Sequence, residues 1–135
     1  MVDTNVWIDL FRGERAAGEG RRAAEVWDGP LAQDWVLCCG VVETELFQGV
    51  RDDERPLLEA QLDALAFVET ERADFRAAGG VLNGLRRKGV TIATPDALIV
   101  ALCLRHGLAL LERDGHFAEI GGLRLFPWHR QDGDQ

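Results

Sequence analysis

Carboxylates recur at four separated places where α/β proteins do chemistry: Asp3, Glu43 or Glu45, Asp96 and Asp114. Asp3 follows Met1-Val2, Asp96 follows Thr94-Pro95, and Asp114 comes just after the apolar run Leu108 to Leu111. Taken singly, such acids have plain roles as helix caps, partners of a helix dipole or solvated loop residues. Gathered in one cleft, they would raise one another's pKa unless a cation compensated. A site made only of carboxylate oxygens suits a hard divalent ion, Mg²⁺ or Mn²⁺. Beside a phosphodiester, such an ion polarises the phosphoryl group, lowers the pKa of a bound water and stabilises the leaving oxygen. The chemistry these residues suggest is metal-dependent phosphodiester hydrolysis that needs no histidine or cysteine nucleophile.

The elements that must hold these acids can be read in outline. Thr94 is expected to cap a helix, with Pro95 at its first position and Asp96 in its first turn. Ala97 to Leu104 carry no charged or hydrogen-bonding polar side chain, so this helix should be buried on every side. Gly107 is a good C-terminal stop, and Leu108 to Leu111 read as a short buried parallel strand. Ligands of open α/β sheets bind beyond the carboxyl ends of the strands, which suits Asp114. Asp3 would share that edge if Met1-Val2 ends a strand; so short a strand suggests missing upstream residues.

Val6, Trp7, Leu10 and Phe11 have the spacing of an amphipathic helix, and residues 14–27 that of a surface helix. Trp35 to Cys39 read as a buried strand closed by Gly40. Val41 to Val50 then read as a helix carrying Glu43 and Glu45, about 200° apart around its axis, so periodicity alone does not say which points inward. Residues 52–65 read as an exposed helix and Ala66 to Glu69 as a short strand. Thr70 is expected to cap a helix to Lys88 in which Phe75, Ala78, Leu82 and Leu85 share a face. Gly79-Gly80 inside it cost roughly 1 kcal/mol each relative to Ala, and imply close packing or a break. Arg86-Arg87-Lys88 suit the helix C-terminus. Leu123 to Phe126 read as an edge strand. Strands alternating with helices imply a parallel sheet with right-handed crossovers.

Composition bounds the reading. A chain of 135 residues with 47% hydrophobic content supports a single domain with a real core. A net charge of −8 argues against loose electrostatic binding of nucleic acid and is compatible with a cation-binding acid cluster. Three cysteines without a C-x-x-C pair read as reduced, buried thiols of a cytoplasmic protein. No signal peptide and no apolar run of bilayer-spanning length stands out. Residues 1–130 are expected to form the domain, and 131–135 a disordered tail.

The chain resembles PIN-domain proteins, and closely the VapC-type toxins of bacterial toxin–antitoxin pairs. The resemblance is carried in order by Val2-Asp3-Thr4-Asn5-Val6-Trp7-Ile8-Asp9, by Glu45-Leu46-Phe47-Gln48-Gly49, by Pro95-Asp96-Ala97-Leu98-Ile99-Val100-Ala101, and by Leu111-Glu112-Arg113-Asp114-Gly115-His116-Phe117. It implies a PIN-like three-layer α/β/α fold with a mainly parallel five-stranded sheet. It selects Glu45 over Glu43 through the E-L-x-x-G context. It also implies that Asp3, Glu45, Asp96 and Asp114 form the metal-binding and catalytic quartet, with Asn5 as a polar support. Glu112 stands where the family often has Thr, so it could bind metal itself or point away.

The activity the resemblance implies is Mg²⁺- or Mn²⁺-dependent endonucleolytic cleavage of RNA, by a homodimer inhibited by a cognate antitoxin. Arg12, Arg86, Arg87, Lys88 and Arg113 are the candidate RNA contacts. Trp7 with Phe11, or Phe47 with Val50, could line a groove for an amphipathic antitoxin helix, whose arginine would enter the acidic cleft. Two other readings are an aspartyl phosphatase of the haloacid-dehalogenase kind, since Asp3-Thr4-Asn5 begins like D-x-D-x-T but lacks the second Asp, and a non-catalytic PIN-fold binding module.

Overall fold

The computed structural model describes residue 1, residues 37–110, residue 117 and residues 120–125. Asp3, Asn5, Arg12, Glu112, Arg113 and Asp114, the two early helices and the tail 131–135 lie outside the described residues. Within them the chain runs β1 (Leu37–Cys39), α1 (Gly40–Gly49), α2 (Arg55–Asp63), β2 (Ala66–Val68), α3 (Arg72–Arg87), α4 (Thr94–His106), β3 (Ala109–Leu110) and β4 (Arg124–Leu125). It is an α/β chain. β1 pairs in parallel with β2, Leu37 facing Ala66 and Cys39 facing Val68, with α1 and α2 forming the crossover. β3 pairs in parallel with β4, Ala109 facing Arg124. Among the described residues the strands therefore form two parallel pairs. The Met1 amino group donates to the Ala109 carbonyl at 3.1 Å, which sets the start of the chain beside β3.

The core is arranged around α4. Ala97 to Cys103 are all buried, as an all-apolar helix requires. Ile99, Val100, Leu102 and Cys103 join Cys38, Cys39, Val42, Leu46 and Leu110 in one cluster. Burial of each large aliphatic side chain contributes about 1.5–3 kcal/mol. On another side Ala97, Leu98 and Ala101 meet Ala78 of α3, where small side chains let the two helices approach closely. Gly107 ends α4 in the left-handed conformation, φ 63°, and the Leu108 N–H returns to the Cys103 carbonyl at 2.9 Å.

α3 and α4 run antiparallel. At one end, Arg105 of α4 grips Asp74 of α3, Nε to Oδ1 at 2.6 Å and Nη2 to Oδ2 at 2.8 Å. Arg105 Nη2 also donates to the Glu69 carbonyl, while Asp74 Oδ2 accepts the Glu71 N–H at 2.8 Å. Asp74 is 1% exposed, the one buried charged side chain among the described residues. Burial works to raise its pKa. The Arg105 and Glu71 hydrogen bonds and the Arg105 charge outweigh that, holding it below the usual carboxylate range.

Several local expectations shift. Thr94 is the first helical residue and not the cap, which is Ala93, with no side-chain cap bond. Gly40 opens α1 and does not merely close β1. α2 is shorter than expected, because residues 52–54 form a turn. Glu71, not Thr70, caps α3, in a reciprocal box with Asp74. α3 is unbroken through Gly79-Gly80. Phe75 lies at the rim of the buried face and is 57% exposed.

Removing Arg105 would strand a buried carboxylate. Arg105→Met should lower the stability of the protein measurably, because it leaves the buried Asp74 carboxylate without its partner. Asp74→Leu/Arg105→Met should recover much of that. Because the Asp74 pKa is depressed on folding, its contribution is present above the unfolded value and lost as pH falls through the folded one. Urea unfolding of wild type and Asp74→Asn should therefore converge in acid; a constant gap across pH would refute the assignment.

Candidate metal and nucleic-acid site

Glu45 and Asp96, the two described members of the expected quartet, are both half-buried. Asp96 sits in the first turn of α4, where the helix dipole favours its charge. Glu45 lies on α1, which packs directly against α4. Val41, one turn earlier on α1, packs into the cluster of Ala97, Leu98 and Ala101. Residues four apart share a helix face, so Glu45 stands on the side of α1 turned toward α4.

Glu43 is turned elsewhere. Burial raises its pKa, and the charge of Asp63 at the end of α2 raises it further. Its charge is also felt by the Cys38 and Cys39 thiols. The Cys38 thiol is pushed up to about 12, chiefly by burial. All three cysteines are buried and none is in a disulfide. With their pKa raised, the Cys38 and Cys39 thiols stay protonated and unreactive at neutral pH. The side of α1 each acid occupies, which periodicity left open, thus separates Glu45 from Glu43.

The donor chemistry at Glu45 and Asp96 is carboxylate oxygen, which fits a hard divalent ion. Among the described residues, no three acid, histidine or cysteine side chains converge on a metal-sized site. Asp3 and Asp114 lie outside them, so the full quartet is not described.

Arg86 and Arg87 occupy the last turn of α3 and Lys88 follows as its cap, all exposed. Because the helices are antiparallel, this basic end is the end at which α4 and Asp96 begin. Phe47 and Val50 are half-buried against the core, with the Arg55 guanidinium 5.0 Å from the Phe47 ring centroid. The Asp74–Arg105 pair is the main feature that sequence reasoning missed. Its available signal was Glu71-x-x-Asp74, a capping spacing. No described helix is long and apolar enough to cross a membrane.

The family model of the PIN domain matches residues 1–123. The chain belongs to the PIN-domain family. That match contains Asp3, Glu45, Asp96 and Asp114, and it sets aside the haloacid-dehalogenase alternative. Within the PIN family, the chain is similar to proteins named VapC. Ribonuclease VapC11 of Mycobacterium tuberculosis is 34% identical over 125 residues, covering 89% of this chain and 90% of that protein. Ribonuclease VapC1 of Rickettsia felis is 26% identical, covering 98% of each. In fold, the chain matches a crystal structure of DNA-bound VapBC from Salmonella typhimurium with a TM-score of 0.77, 22% identity and coverage of 95% and 96%.

The placement of the two glutamates makes a direct test. Glu45→Gln and Asp96→Asn should each weaken Mn²⁺ binding about tenfold or more by calorimetry, a loss of about 1.4 kcal/mol. Glu43→Gln should leave it unchanged. Because the Glu43 pKa is raised on folding, its ionisation opposes folding as pH rises above the unfolded value. Glu43→Gln should therefore raise Tm at pH 7 and not at pH 4. Loss of Mn²⁺ affinity in Glu43→Gln with retention in Glu45→Gln would reverse the assignment.

Proposed function

We propose that this PIN-domain protein is a divalent-metal-dependent endoribonuclease that hydrolyses RNA phosphodiester bonds as the toxin of a toxin–antitoxin pair. The observation that carries the reading is the PIN match across residues 1–123, which contains all four acids, together with the similarity to proteins named ribonuclease over nearly the whole chain. The position of Glu45 on the α4 side of α1 supports it from geometry.

In this reading Asp3, Glu45, Asp96 and Asp114 hold Mg²⁺ or Mn²⁺, with Asn5 and Glu112 as polar support. The ion, when bound, supplies Lewis-acid activation of the phosphodiester and of an attacking water. Asp96 stands in the first turn of α4, where the helix dipole favours a negative charge. The buried helix beneath it fixes its backbone, so little reorganisation accompanies the reaction. Arg86, Arg87 and Lys88, with Arg12 and Arg113, bring local positive charge to a protein whose net charge is −8 and orient the RNA backbone.

Several solved structures similar in fold are described as VapBC or toxin–antitoxin complexes. A cognate antitoxin is the corresponding partner here, and a homodimer in the cytoplasm the corresponding state. An antitoxin arginine entering the cleft would pair bidentately with its carboxylates and compete with the cation.

Total RNA incubated with the protein and Mg²⁺ or Mn²⁺ should be cut at defined positions. Chelation should stop the cleavage, and Asp96→Asn should lower it by at least about a hundredfold, or about 2.7 kcal/mol of barrier. Cleavage that persists in chelator would overturn metal dependence. On co-expression, a small protein encoded beside this one should co-purify, suppress cleavage, and lose that effect when its arginine is replaced. A tightly bound neighbour that leaves cleavage intact would refute inhibition by occlusion.

A further inference from the structure

The outward face of α3 is charged in a way that the helix itself does not require. From residue 72 to residue 88 the one acid is Asp74, and it is buried beneath Arg105. Arg72, Arg76, Asn83 and Arg87 are exposed and recur at helical spacing, within about 60° of one another around the axis. Arg86 and Arg87 suit the negative end of the helix dipole. Arg72 stands in the first turn, where its charge opposes the dipole, and Arg76 follows one turn on. Among the described residues, Arg51 pairs with Asp53 and Glu54, and Arg55 pairs with Glu59. Arg72, Arg76, Arg86, Arg87 and Lys88 make no ion pair there. Glu71, the N-cap directly before Arg72, lies 3.7 Å from Arg105.

The same face carries Gly79 and Gly80. Both are exposed, and a Cβ added at either meets nothing within 4 Å. Packing within the described chain therefore does not ask for glycine, although glycine weakens a helix interior relative to alanine. Glycine at an open position lets another molecule approach the backbone. A row of arginines on either side of a bare backbone floor fits a polyanion laid lengthwise along the helix.

We propose that the outer face of α3 is a binding track for the phosphodiester backbone of single-stranded RNA, leading away from the cleavage site. The track begins at Arg87, at the end of α3 where α4 and Asp96 start, and runs about 22 Å to Arg72. Arginine meets phosphate oxygens in a bidentate way, and Asn83 adds a neutral donor midway. A second copy of the chain is a poor occupant, because a two-fold contact would set these arginines against themselves. The inference rests on the RNA substrate proposed above and extends it from the scissile bond to the flanking strand.

Binding is measured on the full chain carrying Asp96→Asn, so that RNA stays uncut. The probes are a labelled single-stranded RNA of about 15 nucleotides, a length in the range such grooves hold, and a duplex DNA of equal length. Arg72→Gln/Arg76→Gln should lower RNA affinity fivefold or more. It should also reduce the slope of log affinity against log salt by about 1.4, as expected when two phosphates are no longer neutralised. Duplex DNA affinity should fall less. Gly79→Gln/Gly80→Gln should raise Tm, by better helix propensity, and yet weaken RNA binding.

With Asp96 intact, the arginine variant should raise KM for long RNA and leave kcat unchanged. Unchanged RNA affinity and salt slope would overturn the proposal, as would a loss confined to duplex DNA. A loss of self-association with RNA binding intact would give the face to a second copy and also overturn it. RNA bound through this face by a wild-type protein that cuts none would refute the ribonuclease reading and leave the track standing.

Discussion

Seven consecutive residues of α4, Ala97 to Cys103, are removed from water. No amphipathic packing can do that: a helix apolar on every side must be covered on every side. α1, α3 and the strand pairs supply the cover, and their positions follow from that demand. Val42 and Leu46 close one side of α4, Ala78 another, and Leu110 a third. A helix held this way has fixed ends. Its N-terminus presents Asp96, and its C-terminus turns at Gly107 into β3. The position of the Asp96 carboxylate is thus a consequence of hydrophobic burial along the next two turns of helix.

Charge is distributed to match. The outer face of α3 carries exposed arginines and no acid. The one acid of that helix, Asp74, is turned inward onto Arg105, so that the pair locks the far end of the α3–α4 hairpin. The pair is weak evidence for net stability, since burying the Asp74 carboxylate opposes its attraction to Arg105, whose side chain stays 32% exposed. Its clearer effect is on register. The hydrogen bonds from Arg105 Nε and Nη2 to the two carboxylate oxygens fix the level at which α3 passes α4, and with it the basic end that lies beside Asp96.

Much of this was legible in the sequence because it is local. The uninterrupted apolar run of α4, its proline and acid at the start and its glycine at the end are each written in neighbouring residues, and all three are present in the structure. The one-residue shift of Thr94 from cap to first helical position is within the usual looseness of helix ends. What could not be read is non-local. Arg105 and Asp74 are 31 residues apart, and nothing in their surroundings joins them. Phe75 has the spacing of a core residue, yet it falls at the rim of the buried stripe, a distinction set by the width of the contact with α4. The choice between Glu43 and Glu45 turned on which side of α1 meets α4; periodicity shows that they diverge, and the packing of Val41 shows in which direction.

The proposed site stands or falls with where a divalent ion binds. The most direct measurement is the anomalous difference density of crystals of the protein grown with Mn²⁺. One peak should lie about 2.0–2.3 Å from carboxylate oxygens of Asp96 and of at least one of Asp3, Glu45 and Asp114. A sole Mn²⁺ peak between Glu43 and Asp63, or anywhere away from the start of α4, would contradict it.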